Sequence, residues 1–169
     1  MAEGASTPPS REELAELGLF GALPDSVLDA LAQELQRVHV APGALVIQEG
    51  ETARELFVVL EGELEVLRRS RKGHPWQAAV LRPGQWFGEM SILDAQPRSA
   101  TVRALRPSRL LRVTAEDLDR LYRRDLRAYT LVVMNMAREL SRRLRVADAM
   151  IADFVGGLWD ENLGAPRKP

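Results

Sequence analysis

Glu89 and Arg98 are the residues whose types and spacing most clearly suggest chemistry. Both lie in the segment FGEMSILDAQPRSAT, residues 87–101. Gly88 permits close approach of the backbone, and Glu89 to Leu93 can form one helical turn whose free amides point outward. An arginine fork and backbone amides that converge suit a phosphate, because both donate hydrogen bonds without losing a proton. The segment therefore predicts an anion site.

The carboxylate of Glu89 adds a requirement to this site. An ionised carboxylate only accepts hydrogen bonds, so beside a phosphate it makes sense when the ligand also carries hydroxyl groups, as a ribose does. The interpretation that needs no ligand is a salt bridge between Glu89 and Arg98 across a tight loop. From these residues alone, the salt bridge is the better interpretation.

Length, composition and charge limit the classes of protein. A chain of 169 residues, 46% of them apolar, predicts one domain with short extensions. The 23 basic and 24 acidic side chains leave a net charge of -1, so no strong field attracts nucleic acid or an anionic membrane. The absence of cysteine excludes disulfides, zinc-thiolate sites and thiol nucleophiles.

The sequence shows neither a signal peptide nor a membrane span. Residues 1–10 lack an apolar core, and the longest uncharged run, from Ala128 to Ala137, is about half the length that a membrane helix needs. We therefore expect a cytoplasmic protein without a membrane segment.

Two short helices are predicted before the first strand. Residues 1–9 are expected to be disordered. Ser10 to Glu13 has the spacing of a capping box, which starts a helix that runs to about Leu17 and ends at Gly18. Pro24 and Asp25 open a second helix, whose apolar residues recur at steps of three and four as on a helix with one buried face. Those residues are Val27, Leu28, Leu31 and Leu35.

Between Gln36 and Val113 the apolar pattern becomes short and two-fold, which is typical of strands. The predicted strands are 38–40, 45–47, 56–60, 64–67, 78–81, 100–102 and 110–113. Glycines separate them at near-regular spacing, as the reversals of a small antiparallel barrel require. Those glycines are Gly43, Gly50, Gly62, Gly73 and Gly84. We predict an α+β fold: an antiparallel β-roll or jelly-roll barrel flanked by N-terminal helices and a long C-terminal helix.

The C-terminal part of the chain is predicted to be helical. Thr114 supplies an N-cap, and the helical pattern continues to about Val155, where Gly156 and Gly157 are expected to stop it. The domain is thus placed at residues 10–155, with a flexible tail at 156–169. Within the helix an apolar seam of heptad spacing predicts a homodimer, although the same face could pack on its own barrel. The seam is Val133, Ala137, Leu140, Leu144, Ala147, Ile151 and Phe154.

Segment 87–101 resembles the phosphate-binding cassette of the cyclic nucleotide-binding domain family. That cassette reads Phe-Gly-Glu, a small-to-apolar trio, a short variable loop, Pro-Arg, two small residues and a β-branched one, and this sequence matches at every fixed place. The resemblance covers about Leu17 to Phe154 and includes the glycines between the predicted strands. Within the family, the chain resembles the sensor domain of the catabolite activator proteins without their DNA-binding domain.

The resemblance implies a set of binding residues and a ligand. Arg98 would bind the cyclic phosphate, and Glu89 would accept a hydrogen bond from the ribose 2′-hydroxyl. The whole expected site is Gly88, Glu89, Met90, Ser91, Arg98, Ser99 and Ala100. A threonine in place of Ser99 favours cGMP in this family, whereas alanine or serine is common among cAMP binders, so cAMP is preferred to cGMP. Catabolite activators carry a Thr-Ser pair on the long helix, where this chain has Arg143 and Leu144.

The remaining candidate residues are given structural interpretations. The preferred interpretation places Arg138, Arg142, Arg143 and Arg145 on the solvated flank of the long helix, Phe154 in the seam and Trp159 in the tail. The alternative is that Arg143 stacks on the base of the nucleotide or that Phe154 or Trp159 caps it. Trp76 and Trp86 are read as core or barrel-rim residues. His39 and His74 are isolated, which excludes the metal site of a cupin enzyme, and no catalytic motif is found. We expect no enzyme, no metal and no cofactor.

The expected function is a stand-alone cyclic nucleotide sensor. It would bind cAMP and signal to an unidentified effector protein through its C-terminal helices. Too few residues follow Phe154 for the winged helix-turn-helix of a catabolite activator, so DNA binding through a domain of its own is not expected. The alternatives are a protein-interaction scaffold with an unoccupied pocket and a cGMP sensor.

Overall fold

The computed structural model describes residues 8–70 and 72–163, with side chains to residue 157. The helices are α1 (Arg11–Ala15), a 3-10 turn (Gly18–Phe20), α2 (Asp25–Glu34), α3 (Met90–Leu93), α4 (Ala115–Arg124) and α5 (Leu126–Leu163). The strands are β1 (Gln36–Val40), β2 (Leu45–Ile47), β3 (Glu55–Glu61), β4 (Leu64–Arg69), β5 (Pro75–Leu81), β6 (Trp86–Phe87), β7 (Thr101–Ala104) and β8 (Ser108–Thr114).

The strands form two four-stranded antiparallel sheets. One sheet has the order β1-β8-β3-β6 and the other the order β2-β7-β4-β5. The cassette segment leaves the first sheet at β6, forms α3 and enters the second sheet at β7. This arrangement confirms the predicted antiparallel roll between N-terminal helices and a long C-terminal helix.

Strand β3 contributes to both halves of the hydrophobic core. Val58 points to the helices, where it packs with Phe20 and Leu111, whereas Phe57 and Val59 point into the roll. The Phe57 and Phe87 rings stack inside the roll with their centroids 5.5 Å apart. Alternation along a strand places successive side chains on opposite faces. Strand β3 therefore packs against the helices with one face and against the second sheet with the other.

The N-terminal helices differ slightly from the prediction. The Ser10 hydroxyl caps α1 by accepting a hydrogen bond from the Glu13 amide at 3.2 Å. The Glu13 carboxylate binds Arg37 of β1 and not the Ser10 amide, so the predicted capping box is wrong in this half. Helix α1 ends at Ala15, two residues before the predicted Leu17, and Gly18 begins the 3-10 turn. Helix α2 buries its predicted apolar stripe.

All five predicted turn glycines have a positive φ, which confirms that each lies in a tight reversal of the chain.

Strand β6 was not predicted from the sequence. Trp86 and Phe87 pair with Val58 and Phe57 of β3, and this pairing defines the strand. Two residues are too few to show a period, so no sequence pattern could indicate it.

Two helices occupy the C-terminal region, where we predicted a continuous one. Thr114 and Asp117 form the capping box of α4, and the chain breaks at Asp125 before α5 begins. Helix α5 passes through Gly156 and Gly157, so the predicted stop there is wrong. Glycine costs a helix about 1 kcal/mol relative to alanine but does not prevent it. The predicted disordered residues 1–7 and tail residues 164–169 lie outside the described residues.

Helix α5 packs on the domain along its first turns and leaves it further on. Ala128, Val132 and Met136 are buried in the helix-side core. Further along, the predicted seam is exposed: Leu144 and Ile151 are 61% accessible and Phe154 is 69% accessible. Among the described residues, no helix combines the length and hydropathy that a membrane crossing requires.

Candidate ligand-binding site

A cavity of about 650 Å³ lies between the second sheet, the cassette segment and α5. The sheet lines it with apolar side chains: Ile47, Val66, Leu81, Phe87 and Val102. All seven predicted site residues line the same cavity: Gly88, Glu89, Met90, Ser91, Arg98, Ser99 and Ala100. The fold thus brings together every residue that the sequence reading placed in the site.

Gly88 is required by the close approach of the chain. Its φ is +88°, and a Cβ atom there would lie 2.6 Å from Arg98 Nη1 and 2.9 Å from the Glu55 carbonyl oxygen. Both distances are shorter than nonbonded atoms tolerate. The cassette therefore depends on a glycine for its backbone conformation and for the space that Arg98 occupies.

Arg98 is 4% exposed and is hydrogen-bonded at one end of its guanidinium only. Nη1 faces three acceptors: the carbonyl oxygens of Glu55 and Gly88 at 2.7 and 3.0 Å, and Ser91 Oγ at 2.8 Å. Nε and Nη2 are buried and have no hydrogen-bond partner within the described chain. These two nitrogens can donate in parallel to two oxygens of one anion.

Burial lowers the pKa of Arg98, while Glu55, Glu51 and Glu89 oppose that shift. The Glu55 carboxylate is the nearest counter-charge, with Oε1 3.9 Å from Nη2. A guanidinium stays charged at any accessible pH, so the site keeps a buried cation whose charge is only partly compensated. Such a group favours an anionic ligand.

Glu89 is 3% exposed and does not form the salt bridge with Arg98 that the ligand-free interpretation requires. Within the described residues its ion pair is with Arg143 of α5, whose Nη1 donates to Oε1 at 3.1 Å. Burial raises the pKa of the Glu89 carboxyl, and the charge of Arg143 acts in the opposite direction. Glu89 lines the cavity, where its ionised form can only accept hydrogen bonds.

Arg143 is not the solvated side chain that we predicted. It is half-buried, and its Nε donates to Glu139 at 3.1 Å while Nη2 donates to the Trp86 carbonyl oxygen at 2.6 Å. Its Cζ atom lies 6.0 Å from the Trp86 ring centroid, which allows a cation–π contact. The other three arginines of the flank bond only to neighbours on α5 and are exposed, as predicted.

The small residues of the cassette have different environments. Ser91 is buried, donates to the Gly88 carbonyl oxygen at 2.9 Å and accepts from Arg98, so it fixes the guanidinium. Ser99 is exposed at the cavity, and its hydroxyl lies 3.8 Å from Met90 Sδ. The predictions included Ser91 without a specific role, and the structure supplies one.

Glu55 is the contact that the sequence reading missed. It lies at the start of β3, and its carboxylate bonds to Arg112 of β8 as well as facing Arg98. Nothing in the local pattern distinguishes this glutamate from others that precede a strand. Its partners are distant in the chain and come close only when β3, β8 and the cassette have assembled.

The tryptophans, the histidines and a second depression in the surface offer no comparable set of ligand-binding groups. Trp86 is a core residue and Trp76 is exposed on β5, which agrees with their structural interpretation. A larger depression of about 1280 Å³ lies along β1 and β8, but its arginines are paired with glutamates. His39 and His74 are exposed, and the described part of the chain holds no group of three potential metal ligands.

Comparisons with known proteins identify the family. The family model for the cyclic nucleotide-binding domain matches residues 37–125. The "Cyclic AMP receptor protein" of Thermus thermophilus is 35% identical over 130 residues, which are 77% of this chain and 58% of that protein. A "CRP-like cAMP-activated global transcriptional regulator" of Mycobacterium tuberculosis is 30% identical over 144 residues, or 85% of this chain and 62% of that protein. The chain thus spans about three fifths of these relatives' length.

Solved structures agree with the observed fold. The Thermus thermophilus catabolite activator protein superposes with a TM-score of 0.71 at 33% identity, covering 82% of this chain and 63% of that one. A cyclic nucleotide-binding domain from Methylobacillus flagellatus gives a TM-score of 0.73 at 22% identity, covering 94% and 83%. With the cassette geometry and the family match, these similarities show that the chain belongs to the cyclic nucleotide-binding domain family.

Proposed function

We propose that the protein is a cyclic nucleotide sensor that binds cAMP in the 650 Å³ cavity, and that it has no catalytic activity of its own. The curated relatives from Thermus thermophilus and Mycobacterium tuberculosis are both named for cAMP, which supports cAMP over cGMP. The exposed Ser99 hydroxyl leaves a cGMP sensor as the second candidate.

The single observation that carries this proposal is the edge of the Arg98 guanidinium that has no hydrogen-bond partner in the described chain. A buried donor without an acceptor costs about 1 to 3 kcal/mol, and Arg98 has two such nitrogens, Nε and Nη2. A cyclic phosphate would supply two acceptor oxygens to that edge. Glu89 lines the same cavity and would accept from the ribose hydroxyl.

The rest of the cassette would complete the cradle around the ligand. The amides of Gly88, Glu89 and Ala100 and the hydroxyl of Ser99 would donate to phosphate oxygens. Ser91 would act indirectly, through its contact with Arg98, and Met90 would form part of the wall. No metal or other cofactor is required for this recognition.

The output is proposed to pass through α5 to a second copy of the chain and to an effector protein. The exposed seam residues Leu144, Ile151 and Phe154 follow heptad spacing, which matches the packing of two parallel helices. A ligand that contacts the cassette would change the position of α5, because Arg143 already connects the two. The identity of the effector is left open.

Substitution of Arg98 tests the proposal. We expect Arg98→Ala to weaken cAMP binding by at least about tenfold to a hundredfold, since each charge-assisted hydrogen bond that it removes is worth about 1.5 to 3 kcal/mol. Arg98→Lys keeps the charge but loses the fork, so an intermediate affinity is expected. Calorimetry with cAMP and with cGMP measures both the affinity and the preference.

Arg106→Ala is the matched control, because Arg106 is exposed and pairs with Glu63 away from the cavity. Equal cAMP affinity for the wild type and Arg98→Ala would contradict the proposal. Thermal unfolding adds a second readout: a nucleotide at a hundred times its Kd stabilises the protein by about 2.7 kcal/mol. A flat response to both nucleotides would favour the scaffold with an unoccupied pocket.

A further inference from the structure

We propose that the protein has a second binding site, separate from the nucleotide cavity, which takes a small oxyanion such as a phosphate or a carboxylate group. The site is a pocket of about 270 Å³ between the 3-10 turn, the turn before β6 and α5. The side chains that line it are Gln85 and Trp86 from the roll and Asn135, Arg138, Glu139 and Arg142 from α5. The inference goes beyond the proposed function and does not depend on nucleotide binding.

The wall that α5 contributes is held against the rest of the domain. Its four side chains follow one another at steps of three and four residues, so they lie side by side on one face of the helix. Asn135 connects this face to the 3-10 turn, because its Nδ2 donates to the carbonyl oxygens of Leu19 and Gly21 at 3.2 and 3.1 Å. The pocket is therefore defined by contacts that the chain makes on its own.

Hydrogen-bond donors exceed acceptors in this wall. Arg138 donates to Asn135 Oδ1 at 2.9 Å and forms no ion pair within the described residues. Arg142 Nη1 donates to Glu139 Oε2 at 3.1 Å, while the other oxygen of that carboxylate accepts from Arg143. An arginine carries five N–H donors, so Arg138 and Arg142 both keep donors for an additional oxyanion.

The opposite wall contains a buried donor without an acceptor. Trp86 is 6% exposed, and its Nε1 has no hydrogen-bond partner in the described chain. An indole nitrogen can only donate, and leaving it without an acceptor when buried costs about 1 to 3 kcal/mol. Because Trp86 lines the pocket, an anion bound there would place acceptor oxygens beside this wall.

The size and the charge of the pocket define the class of ligand. A volume of about 270 Å³ lies below the roughly 300 to 1,000 Å³ of sites for drug-sized molecules, so the pocket suits a small ion or the end group of a larger ligand. Two guanidinium groups stand against one carboxylate, and guanidinium and indole groups only donate. These groups favour negatively charged oxygens and disfavour a cation.

The pocket is adjacent to the nucleotide cavity without being part of it. None of the seven expected cassette residues lines it, whereas Gln85, Glu139 and Arg142 line both spaces. An anion in the pocket is therefore held without Arg98. It would contact both α5 and the roll, so it would stabilise the packing of this part of α5 whether or not a nucleotide is bound.

The experiment titrates the protein with sodium phosphate and, separately, with sodium acetate at constant ionic strength. The indole ¹H–¹⁵N resonance of Trp86, assigned with Trp86→Phe, is the local readout. The variants are Arg138→Gln and Arg142→Gln, with Arg145→Gln as the control. Arg145 lies on the same helix, is exposed and bonds to Ser141, so its substitution removes the same charge from outside the pocket.

We expect the Trp86 resonance to shift saturably with at least one of the two anions, and the anion that binds distinguishes a phosphate site from a carboxylate site. Arg138→Gln and Arg142→Gln should each weaken this binding about tenfold, since each removes charge-assisted hydrogen bonds. Arg145→Gln should match the wild type. Saturation by neither anion, or equal affinities for all three variants, overturns the inference.

Arg98→Ala separates this site from the cassette, which could also bind phosphate. The response of Trp86 should persist in Arg98→Ala, because Arg98 does not line the pocket. Loss of the response in Arg98→Ala together with an unchanged response in Arg138→Gln would place the anion in the cassette and overturn the second site. A wild type that binds neither cAMP nor cGMP would refute the proposed function but leave this titration decisive.

Discussion

The cassette and the exposed part of α5 depart in opposite ways from the usual distribution of residues in a folded protein. The cassette buries two charged side chains, Glu89 and Arg98, whereas α5 exposes large apolar side chains such as Ile151 and Phe154. Charged residues are rarely fully buried, and contiguous exposed apolar residues usually mark a contact surface. Both regions therefore favour contact with another molecule, which is the basis of the proposed function.

The difference lies in how far the chain itself completes each region. Around Arg98, the backbone of Glu55 and Gly88 and the Ser91 hydroxyl already hold one end of the guanidinium, so only a small anion is missing. Along the seam of α5, nothing in the described chain covers the apolar side chains. Covering them would take an extended apolar surface of another molecule. The first region suits a small ligand and the second a protein.

Gly88→Ala is expected to have the largest effect, because it tests how tightly the cassette is built. The added Cβ would meet Arg98 Nη1 and the Glu55 carbonyl oxygen, and the φ of +88° is strained for alanine. Strain and overpacking together should lower the free energy of unfolding by roughly 2 to 5 kcal/mol and abolish cAMP binding. Urea denaturation and calorimetry measure the two effects.

Gly84→Ala is the matched control for this substitution. Gly84 has a φ of +85°, but a Cβ atom there would have no neighbour within 4 Å. Only the left-handed backbone cost of about 1 to 2 kcal/mol should appear. If both variants lose the same stability, the close approach at Gly88 does not matter and the cassette is looser than its contacts indicate.

Most of the fold could be predicted from local sequence patterns, because turns and helix ends depend on residues close together in the chain. The turn glycines and the N-caps Ser10 and Thr114 act within a few positions of the chain, and they are confirmed. The return contact of Glu13 in the first predicted capping box is wrong, because that carboxylate binds the distant Arg37. The helix stop at Gly156 was wrong because glycine weakens a helix without ending it. Strand β6 was missed because its partner strand defines it, not its own period.

The sequence was enough to name residues that line one cavity, but not to predict their contacts. The seven cassette residues could be named because they are nearly contiguous in the sequence. Glu55 and Arg143 could not be assigned to Arg98 and Glu89, since each pair joins distant parts of the chain that only the folded roll brings together. The sequence does not indicate which of several arginines on a helix flank contacts the rest of the domain, because that depends on how the helix packs.

Ile151→Glu tests the apolar half of the comparison. A charge placed in the centre of a helix–helix seam should weaken self-association at least about tenfold, since buried interface side chains often contribute more than 1 kcal/mol. Because Ile151 is exposed in the single chain, the stability of the monomer should not change. Light scattering after size-exclusion chromatography measures the mass as a function of concentration.

Met150→Glu is the control for this variant, because Met150 is 67% exposed but lies outside the seam. It should leave the dimer intact. Equal masses for Ile151→Glu and the wild type, or equal dissociation by both variants, would contradict a seam-specific dimer. The exposed apolar side chains would then need a different partner.

A second buried carboxylate, Glu65, sharpens the comparison within the barrel. Glu65 accepts hydrogen bonds from Arg103 Nε at 2.7 Å and from Gln77 Nε2 at 3.0 Å. These bonds, that of Arg103 above all, lower the pKa of Glu65, whereas burial raises the pKa of Glu89. Both carboxyl groups are nearly inaccessible, yet only for the one in the cassette do the surroundings disfavour the ionised form.

The two carboxylates should therefore change the stability with pH in opposite directions, and by less than the substitution at Gly88 does. The ionised Glu65 stabilises the fold above its ordinary pKa, and this contribution is lost as the pH falls through its lowered pKa. Glu65→Gln should cost about 1 kcal/mol near pH 7, a small value because the half-exposed Arg103 is screened by solvent, and this cost should shrink as the pH falls toward the lowered pKa of Glu65. For Glu89 the ionised form is the costly one, so the wild type should gain stability relative to Glu89→Gln as the pH falls through the raised pKa. Urea midpoints between pH 7 and pH 3.5 measure both differences, and slopes of the same sign would show that Glu89 is as fully compensated as Glu65.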